Sequence, residues 1–429
     1  MTSGLIALTV LGIFFGLLFL SVPIAVSLGL ATITTMLIAG MPIDAFADIM
    51  YAGMGKNILL AIPFFIMTGL IMEKTGVSNS IIKFAKLLIG PVPGGLGIMS
   101  IAVAVFWGAI SGSGPATVAA LGSVLIPAMM ASKYRPSFAA AIIASGSGIS
   151  VVIPPSGTFI IYGVITSTSV ARIYAAGMIP GILMGVCFAI FVMIYSIYNG
   201  YKGESYGTIR EIFTAFKEAI WGLLTPVIIL GGIYGGFFSP TESACFATVY
   251  VILIGLFVYK QVTPKDIYIV LAKSALTSAS ILLITASASM LSYLFTTKGI
   301  ARLVSTTFLS LTDNAVLIML IMLVILLIAG CFLDGISIVY LFVPLFYPLA
   351  TQLGYDTVWF GIMVVMTTSI GMITPPVAVN LYPAARYAGC TMIEISKSVA
   401  GFVISGTIAI VIAILFPGIA TWLPNLMKL

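Results

Sequence analysis

"GSGISVVIPPSG", residues 146–157, interrupts an apolar region with glycines, serines and two consecutive prolines. Proline lacks an amide hydrogen and clashes with the turn before it, so Pro154-Pro155 ends one helical piece and starts another. The glycines permit close approach, while Ser147, Ser150 and Ser156 place hydroxyls beside carbonyls that the break releases. Oxygen groups of that kind suit Na⁺. Inside a bilayer, backbone leaves helical geometry only where protein or a wet cavity satisfies it. The stretch therefore predicts a broken membrane helix beside a cavity, although a proline-kinked helix packed through small residues also fits it.

The surrounding composition sets that membrane context. Of 429 residues, 61% are hydrophobic and only 7% charged, against about 25% charged in a soluble domain. Apolar stretches recur from residue 4 to residue 424, many of them reaching the roughly 20 residues that cross a hydrocarbon core. The fold expected is an all-α polytopic membrane protein. The first apolar run lacks a basic leader and a small-residue cleavage pattern, so it reads as retained helices. With no histidine, imidazole-based zinc sites, proton relays and triads are excluded. Cys187, Cys245, Cys331 and Cys390 lack metal-site spacing. The net charge of +6 lies in short loops, which fits orientation in a membrane rather than nucleic-acid binding.

The chain divides near its middle. Residues 198–218 form the longest polar interval and read as a linker between a first repeat, 1–197, and a second, 219–429. A constant offset of 221 lays Pro127 on Pro348, Tyr134 on Tyr355, Phe138 on Trp359, Ser147 on Thr368, and Pro154-Pro155 on Pro375-Pro376. It also pairs Ser113 with Asp334 and Gly114 with Gly335; farther out, "MEKTG" ending at Gly76 matches "FTTKG" ending at Gly299 with the offset drifting by two. Duplicated units with interrupted hydrophobic segments are how secondary transporters build a central site from broken helices. The repeats read as inverted, although sequence similarity leaves their relative orientation open.

Each half carries a second feature. "WGAISGSGPATVAALGSVLIPAM", residues 107–129, has apolar arms joined by small residues, and predicts a re-entrant hairpin presenting Ser111, Ser113 and Thr117. Two spanning helices joined by a tight turn are the alternative. "AGCFLDGISIVYLFVPLFYP", residues 329–348, is its counterpart, with Asp334 at the tip. An ionised carboxylate in a bilayer is costly unless paired or hydrated, and cation coordination would relieve that cost. The second break, "TTSIGMITPPVAVN" at 367–380, adds Thr367, Thr368, Ser369, Thr374 and Asn380. Glu242 follows Ser239-Pro240-Thr241 and reads as a helix-capping acid. Pro63 reads as a kink, Glu73-Lys74 as an interface end, and Arg135, Lys298 and Arg302 as possible anion contacts.

Taken together, "SGSGPATVAALGSVLIPAM", "IPPSG", "CFLDGISIVYLFVPLFYP" and "GMITPPVAVNLY" resemble the large membrane subunit of a tripartite ATP-independent periplasmic (TRAP) transporter, of the DctM/SiaM type. The resemblance covers nearly the whole chain and rests on the order and spacing of these strings. It implies an ion-driven elevator in the bacterial inner membrane, with a scaffold and a transport domain whose main parts are 90–167 and 315–390. It implies partnership with a small four-helix membrane subunit, expected as a separate polypeptide, and with a periplasmic substrate-binding protein, with membrane lipids around them. No nucleic acid and no cofactor is expected; Na⁺ is the coupling ion.

By that resemblance, Ser111, Ser113, Thr117, Ser147, Ser150, Pro154, Asp334, Thr368, Ser369 and Thr374 contact ion or substrate. Ser113, Ser150, Asp334, Thr368 and Thr374 are the sodium candidates. The substrate expected is an organic acid: sialic acid or a related sugar acid is favoured by the hydroxyl-rich tips, with a C4-dicarboxylate as the alternative. A passive channel built on the same breaks, and an intramembrane hydrolase built on the serines and Asp334, are the competing classes; the hydrolase lacks any nucleophile-base-orienter pattern.

Overall fold

The computed structural model describes residues 2–42, 44–203 and 207–429. Its first half contains α1 (Ser3–Phe19), α2 (Ile24–Ile38), α3 (Ala45–Met54), α4 (Ala61–Lys74), α5 (Val77–Ile89), α6 (Gly95–Ser111), α7 (Gly114–Ala131), α8 (Pro136–Gly148), α9 (Gly157–Thr166) and α10 (Val170–Asn199). The second contains α11 (Ile209–Tyr234), α12 (Pro240–Leu253), α13 (Pro264–Thr297), α14 (Ile300–Leu311), α15 (Ala315–Gly330), α16 (Gly335–Gln352), α17 (Thr357–Gly371), α18 (Leu381–Ala388), α19 (Met392–Leu415) and α20 (Gly418–Leu426). Among the described residues, eight helices are long and apolar enough to cross a membrane. At about 1.5 Å per residue, the 34 residues of α13 exceed the roughly 30 Å hydrocarbon thickness, so this helix tilts or projects into the headgroups.

Several starts are written locally. Capping boxes pair Thr208 with Glu211, Ser239 with Glu242, Thr263 with Asp266 and Thr391 with Glu394. Each box satisfies amide donors that the first turn leaves open. Glu242 accepts from the Ser239 amide at 2.7 Å and its hydroxyl at 2.8 Å, which fixes it as a cap. The Thr208 box also starts α11 inside the polar interval, so only residues 200–208 separate α10 from α11, with 204–206 outside the described residues. Pro63 is the third residue of α4, directly after a 3₁₀ turn at Asn57–Leu60, so it sits where one helical form passes into the other.

Helix bounds follow the sequence offsets. α7 and α16 each have 18 residues and start 221 residues apart; α5 and α14 start 223 apart, at Val77 and Ile300. The matched aromatics do the same job in both halves. Tyr134 stacks on Phe138 with centroids 6.4 Å apart, and Tyr355 on Trp359 at 5.2 Å. Both Pro-Pro bonds, 154-155 and 375-376, are cis.

Packing separates the helices into two groups. α13 lies on α2, α3 and α4, α12 on α4 and α11, and α1 on α2. In the other group α8 packs on α6, α7, α18 and α19, α17 on α15, α10 and α16, and α16 on α9. Two amphipathic helices bridge the groups: α5 packs on α11 and α6, and its counterpart α14 packs on α1, α13 and α16.

Candidate functional site

The tip of the first hairpin is formed by Gly112, whose φ of 58° is the left-handed value that glycine adopts without strain, and by extended Ser113. That turn folds α7 back along α6 and delivers the tip to the first break. A Cβ on Gly112 would lie 2.7 Å from the Pro155 carbonyl oxygen, and one on Gly108 would lie 2.7 Å from Ser150 Cα, so only glycines admit this approach.

Where tip and break meet, hydroxyls saturate one another. Thr117 Oγ1 donates to the Ser113 carbonyl at 2.9 Å. It accepts from Ser150 Oγ at 3.0 Å and shares a 2.7 Å hydrogen bond with Ser111 Oγ. Ser111, Thr117 and Ser150 are buried, whereas Ser113 is half-buried at the edge of a cleft. Four of the sequence candidates thus converge.

The second hairpin and break form a separate group. Asp334 caps α16, accepting from the Ile336 amide at 3.2 Å and from Ser337 Oγ. A Cβ on the next residue, Gly335, would meet Thr158 Oγ1 at 3.1 Å and Thr368 Cγ2 at 3.5 Å, which places Thr368 beside this tip. Thr368 and Thr374 bond back to carbonyls of their own segment, Val364 at 2.8 Å and Ile370 at 2.7 Å. Ser369 joins the two breaks, because its Oγ donates to the Gly148 carbonyl at 2.6 Å. Asn380 performs a similar bridge from Nδ2 to the Ala144 carbonyl at 3.4 Å.

Around this crossing the protein buries oxygens without hydrogen-bond partners. They include Ser145 Oγ, Ser147 Oγ, Ser156 Oγ, Thr367 Oγ1 and Asn380 Oδ1. Buried polar atoms left unpaired cost on the order of 1–3 kcal/mol each, and these five sit on α8, on α17 and on the segments that follow the two breaks. Pro154 is buried at the first break.

A cleft of about 850 Å³ opens beside the first tip, between α4, α6, α7 and the start of α9, with α13 behind. Its wall is largely apolar, including Ile62, Phe65, Leu70 and Trp107; its polar groups are Glu73, Ser111, Ser113 and Thr277. Glu73 therefore serves the cleft as well as the end of α4. Arg135, Lys298 and Arg302 line neither this cleft nor the second large one, of about 990 Å³, between α3, α9, α13 and α16. Lys298 is instead engaged with the Ala39 carbonyl at 3.3 Å. The cation that lines the second of these clefts is Lys56. Nothing in its neighbourhood, a polar turn between two helices, distinguishes it in the sequence from an interface anchor.

A sequence profile described as the tripartite ATP-independent periplasmic transporter, DctM component, matches residues 11–419. The isethionate TRAP transporter permease DctMQ of Oleidesulfovibrio alaskensis is 37% identical over 96% of this chain, which spans 64% of that longer protein. The C4-dicarboxylate large permease DctM of Rhodobacter capsulatus is 34% identical over 98% of this chain and 99% of its own length. The sialic acid large permease SiaM of Vibrio cholerae is 32% identical over 96% of both chains. The crystal structure of the Alcanivorax borkumensis YdaH transporter, described as having an unusual topology, shares the fold with a TM-score of 0.59 at 14% identity, covering 88% of each chain.

Proposed function

The chain belongs to the DctM component of the tripartite ATP-independent periplasmic transporters, and from that premise we propose that it imports an organic acid in symport with Na⁺. The observation that carries the ion half of this reading is the hydroxyl set at the crossing of hairpin tip and broken helix, surrounded by orphaned buried oxygens. Serine and threonine hydroxyls can rotate their protons away and turn lone pairs toward a cation, and broken-helix carbonyls are the usual companions of Na⁺ in transporters. Ser111, Thr117 and Ser150 would hold the ion, and Asp334 with Thr368 would serve an equivalent place at the second tip.

Na⁺ binding then draws the tip onto the break and supplies the positive charge that lets the adjoining cleft hold a carboxylate or sulfonate despite Glu73; without the ion that cleft disfavours anions. A loaded group comprising α6 to α9 and α15 to α18 moves against α1 to α4 and α11 to α13, with α5 and α14 as the connecting arms. A four-helix small subunit and a periplasmic binding protein complete the complex in the bacterial inner membrane. The largely apolar first cleft, with few hydrogen-bonding groups, favours a compact organic acid. The hydroxyl-lined second cleft is the observation that favours a sugar acid.

Orientation follows from counting crossings. Between the two hairpins lie the broken α8–α9 segment, α10, α11, α12 and α13, an odd number of crossings, so the hairpins enter from opposite faces. Of the 18 Lys+Arg, five (Lys56, Arg172, Lys298, Arg302 and Lys428) fall on the face from which the second hairpin enters, and the remaining thirteen on the other. The positive-inside rule makes the face of the first hairpin cytoplasmic.

The test is uptake by the complex reconstituted with its small subunit and binding protein, offered labelled succinate, isethionate or sialic acid with and without an inward Na⁺ gradient. Gradient-dependent accumulation of one supports symport and excludes a passive pore; accumulation indifferent to Na⁺ overturns the coupling. Thr117→Val is expected to raise the half-saturating Na⁺ concentration about tenfold, equivalent to about 1.4 kcal/mol, while Thr117→Ser keeps it.

A further inference from the structure

The two large clefts are repeat counterparts. Ile62, Phe65, Ile66, Gly69, Leu70 and Glu73 of α4 line the first. An offset of 223, the one that relates α5 to α14, converts these positions into Thr285, Ala288, Ser289, Ser292, Tyr293 and Thr296 of α13, all of which line the second. One helical stripe has thus been used twice and given different chemistry. In the first cleft the stripe is apolar and ends on an acid. In the second it carries five hydroxyls, on Thr285, Ser289, Ser292, Tyr293 and Thr296; Tyr340 Oη joins them by donating to Thr285 Oγ1 at 2.7 Å, and Lys56 stands across from them. Among the described residues, no acidic side chain lines this second cleft.

Lys56 is held in place by local structure. It precedes the 3₁₀ turn that starts α4, and its Nζ donates to the Val164 carbonyl at 3.1 Å, near the C-terminal end of α9. One ammonium donor is committed to that carbonyl and two remain. A carboxylate or sulfonate arriving in the cleft meets a fixed positive charge beside a polar wall; Thr285, Ser289 and Thr296 donate their hydroxyl protons to the carbonyls of Ile281, Thr285 and Ser292, so the free donors that bind an oxyanion are those of Lys56.

We propose that this cleft, built on Lys56 and the hydroxyl stripe of α13, is the periplasm-facing station where an organic anion first binds this chain. The inference rests on the transporter reading and on the orientation above, which puts Lys56 on the periplasmic face. The polarity of the two stations gives direction: a cation beside a polar wall receives the anion on one face, and Glu73 at the cytoplasmic mouth disfavours its return by like-charge repulsion.

The test measures charge selectivity directly in the purified full chain. Cys187, Cys245, Cys331 and Cys390 are replaced by alanine, and Ser292→Cys places a thiol in the second cleft. Its modification rates by methanethiosulfonate reagents bearing either a sulfonate or a quaternary ammonium are compared, each normalised to free cysteine in solution. The sulfonate reagent is expected to be favoured about fivefold, with Lys56→Gln removing the preference and Lys56→Arg keeping it. Leu70→Cys, in the first cleft beside Glu73, is expected to show the opposite preference. A ratio at Ser292→Cys that Lys56→Gln leaves unchanged, or a preference there for the ammonium reagent, overturns the proposal. Uptake by the wild-type complex reports separately: if uptake is absent while the Lys56-dependent preference stands, the transport reading fails and the anion site survives.

Discussion

At the scale of single residues, Asp334 shows how one side chain can serve structure and coupling together. Its carboxylate caps α16 through the Ile336 amide and Ser337 Oγ, contacts that need an acceptor oxygen but no charge. An ion-binding role, by contrast, needs the charge. Asp334→Asn keeps a side-chain acceptor, so the thermal midpoint in detergent is expected to hold while the Na⁺ concentration for half-maximal uptake rises. Asp334→Ala loses the cap as well, at about 1 kcal/mol, and lowers the midpoint. Equal Na⁺ dependence in Asp334→Asn and the native protein would assign the residue to capping alone. The hydroxyls at both tips and breaks were legible in the sequence because they sit on motifs that interrupt helices. Which of them touch was not: Ser150 reaches Thr117 across 33 residues of chain, and Ser369 reaches Gly148 across 221. Lys56 and Thr158 were invisible as site residues, since only tertiary packing brings them to a cleft or a tip.

Among the elements, the apolar and interrupted ones announce themselves and the amphipathic ones do not. α5 and α14 carry Lys83, Lys86 and Arg302 among their apolar residues, so a search for membrane spans passes over both, as it does over the short α3 and α20. The repeat offset was legible from prolines and aromatics, and it extends to helix bounds because matched caps and breaks sit at matched positions. One close crossing depends on a residue type that sequence periodicity does not mark. α15 and α17 meet at Gly330 and Gly371, where a Cβ on Gly371 would lie 2.5 Å from Gly330 Cα and one on Gly330 would lie 2.7 Å from Gly371 Cα. Backbone on both sides cannot swing aside as a side chain can. Gly330→Ala is therefore expected to destabilise the protein by about 1–3 kcal/mol, read as a lower thermal midpoint with loss of uptake. Gly16→Ala provides the contrast: nothing lies within 4 Å of a Cβ there, and the better helix former should hold or raise the midpoint. Equal midpoints for the two variants would refute the tight crossing.

For the whole molecule, the arrangement of two helix groups joined by α5 and α14 makes a mechanical claim that composition could not supply. If transport moves one group against the other, a tether between groups stops it and a tether within a group does not. Tyr340 and Thr285 bridge α16 to α13 across the divide, with oxygens 2.7 Å apart. Thr68 and Thr248 make an equally short contact of 2.8 Å between α4 and α12, both inside one group. In a protein freed of its native cysteines, the paired substitution Thr285→Cys with Tyr340→Cys, bridged by a short bifunctional thiol reagent, is expected to abolish uptake. A monofunctional reagent of the same size is expected to leave more of it, because it fills space without joining the groups. The pair Thr68→Cys with Thr248→Cys, bridged in the same way, is expected to retain uptake, since its two helices travel together. Retained uptake with the first bridge fully formed would mean that α13 and α16 move as one body, and the motion would then have to lie within the hairpins themselves.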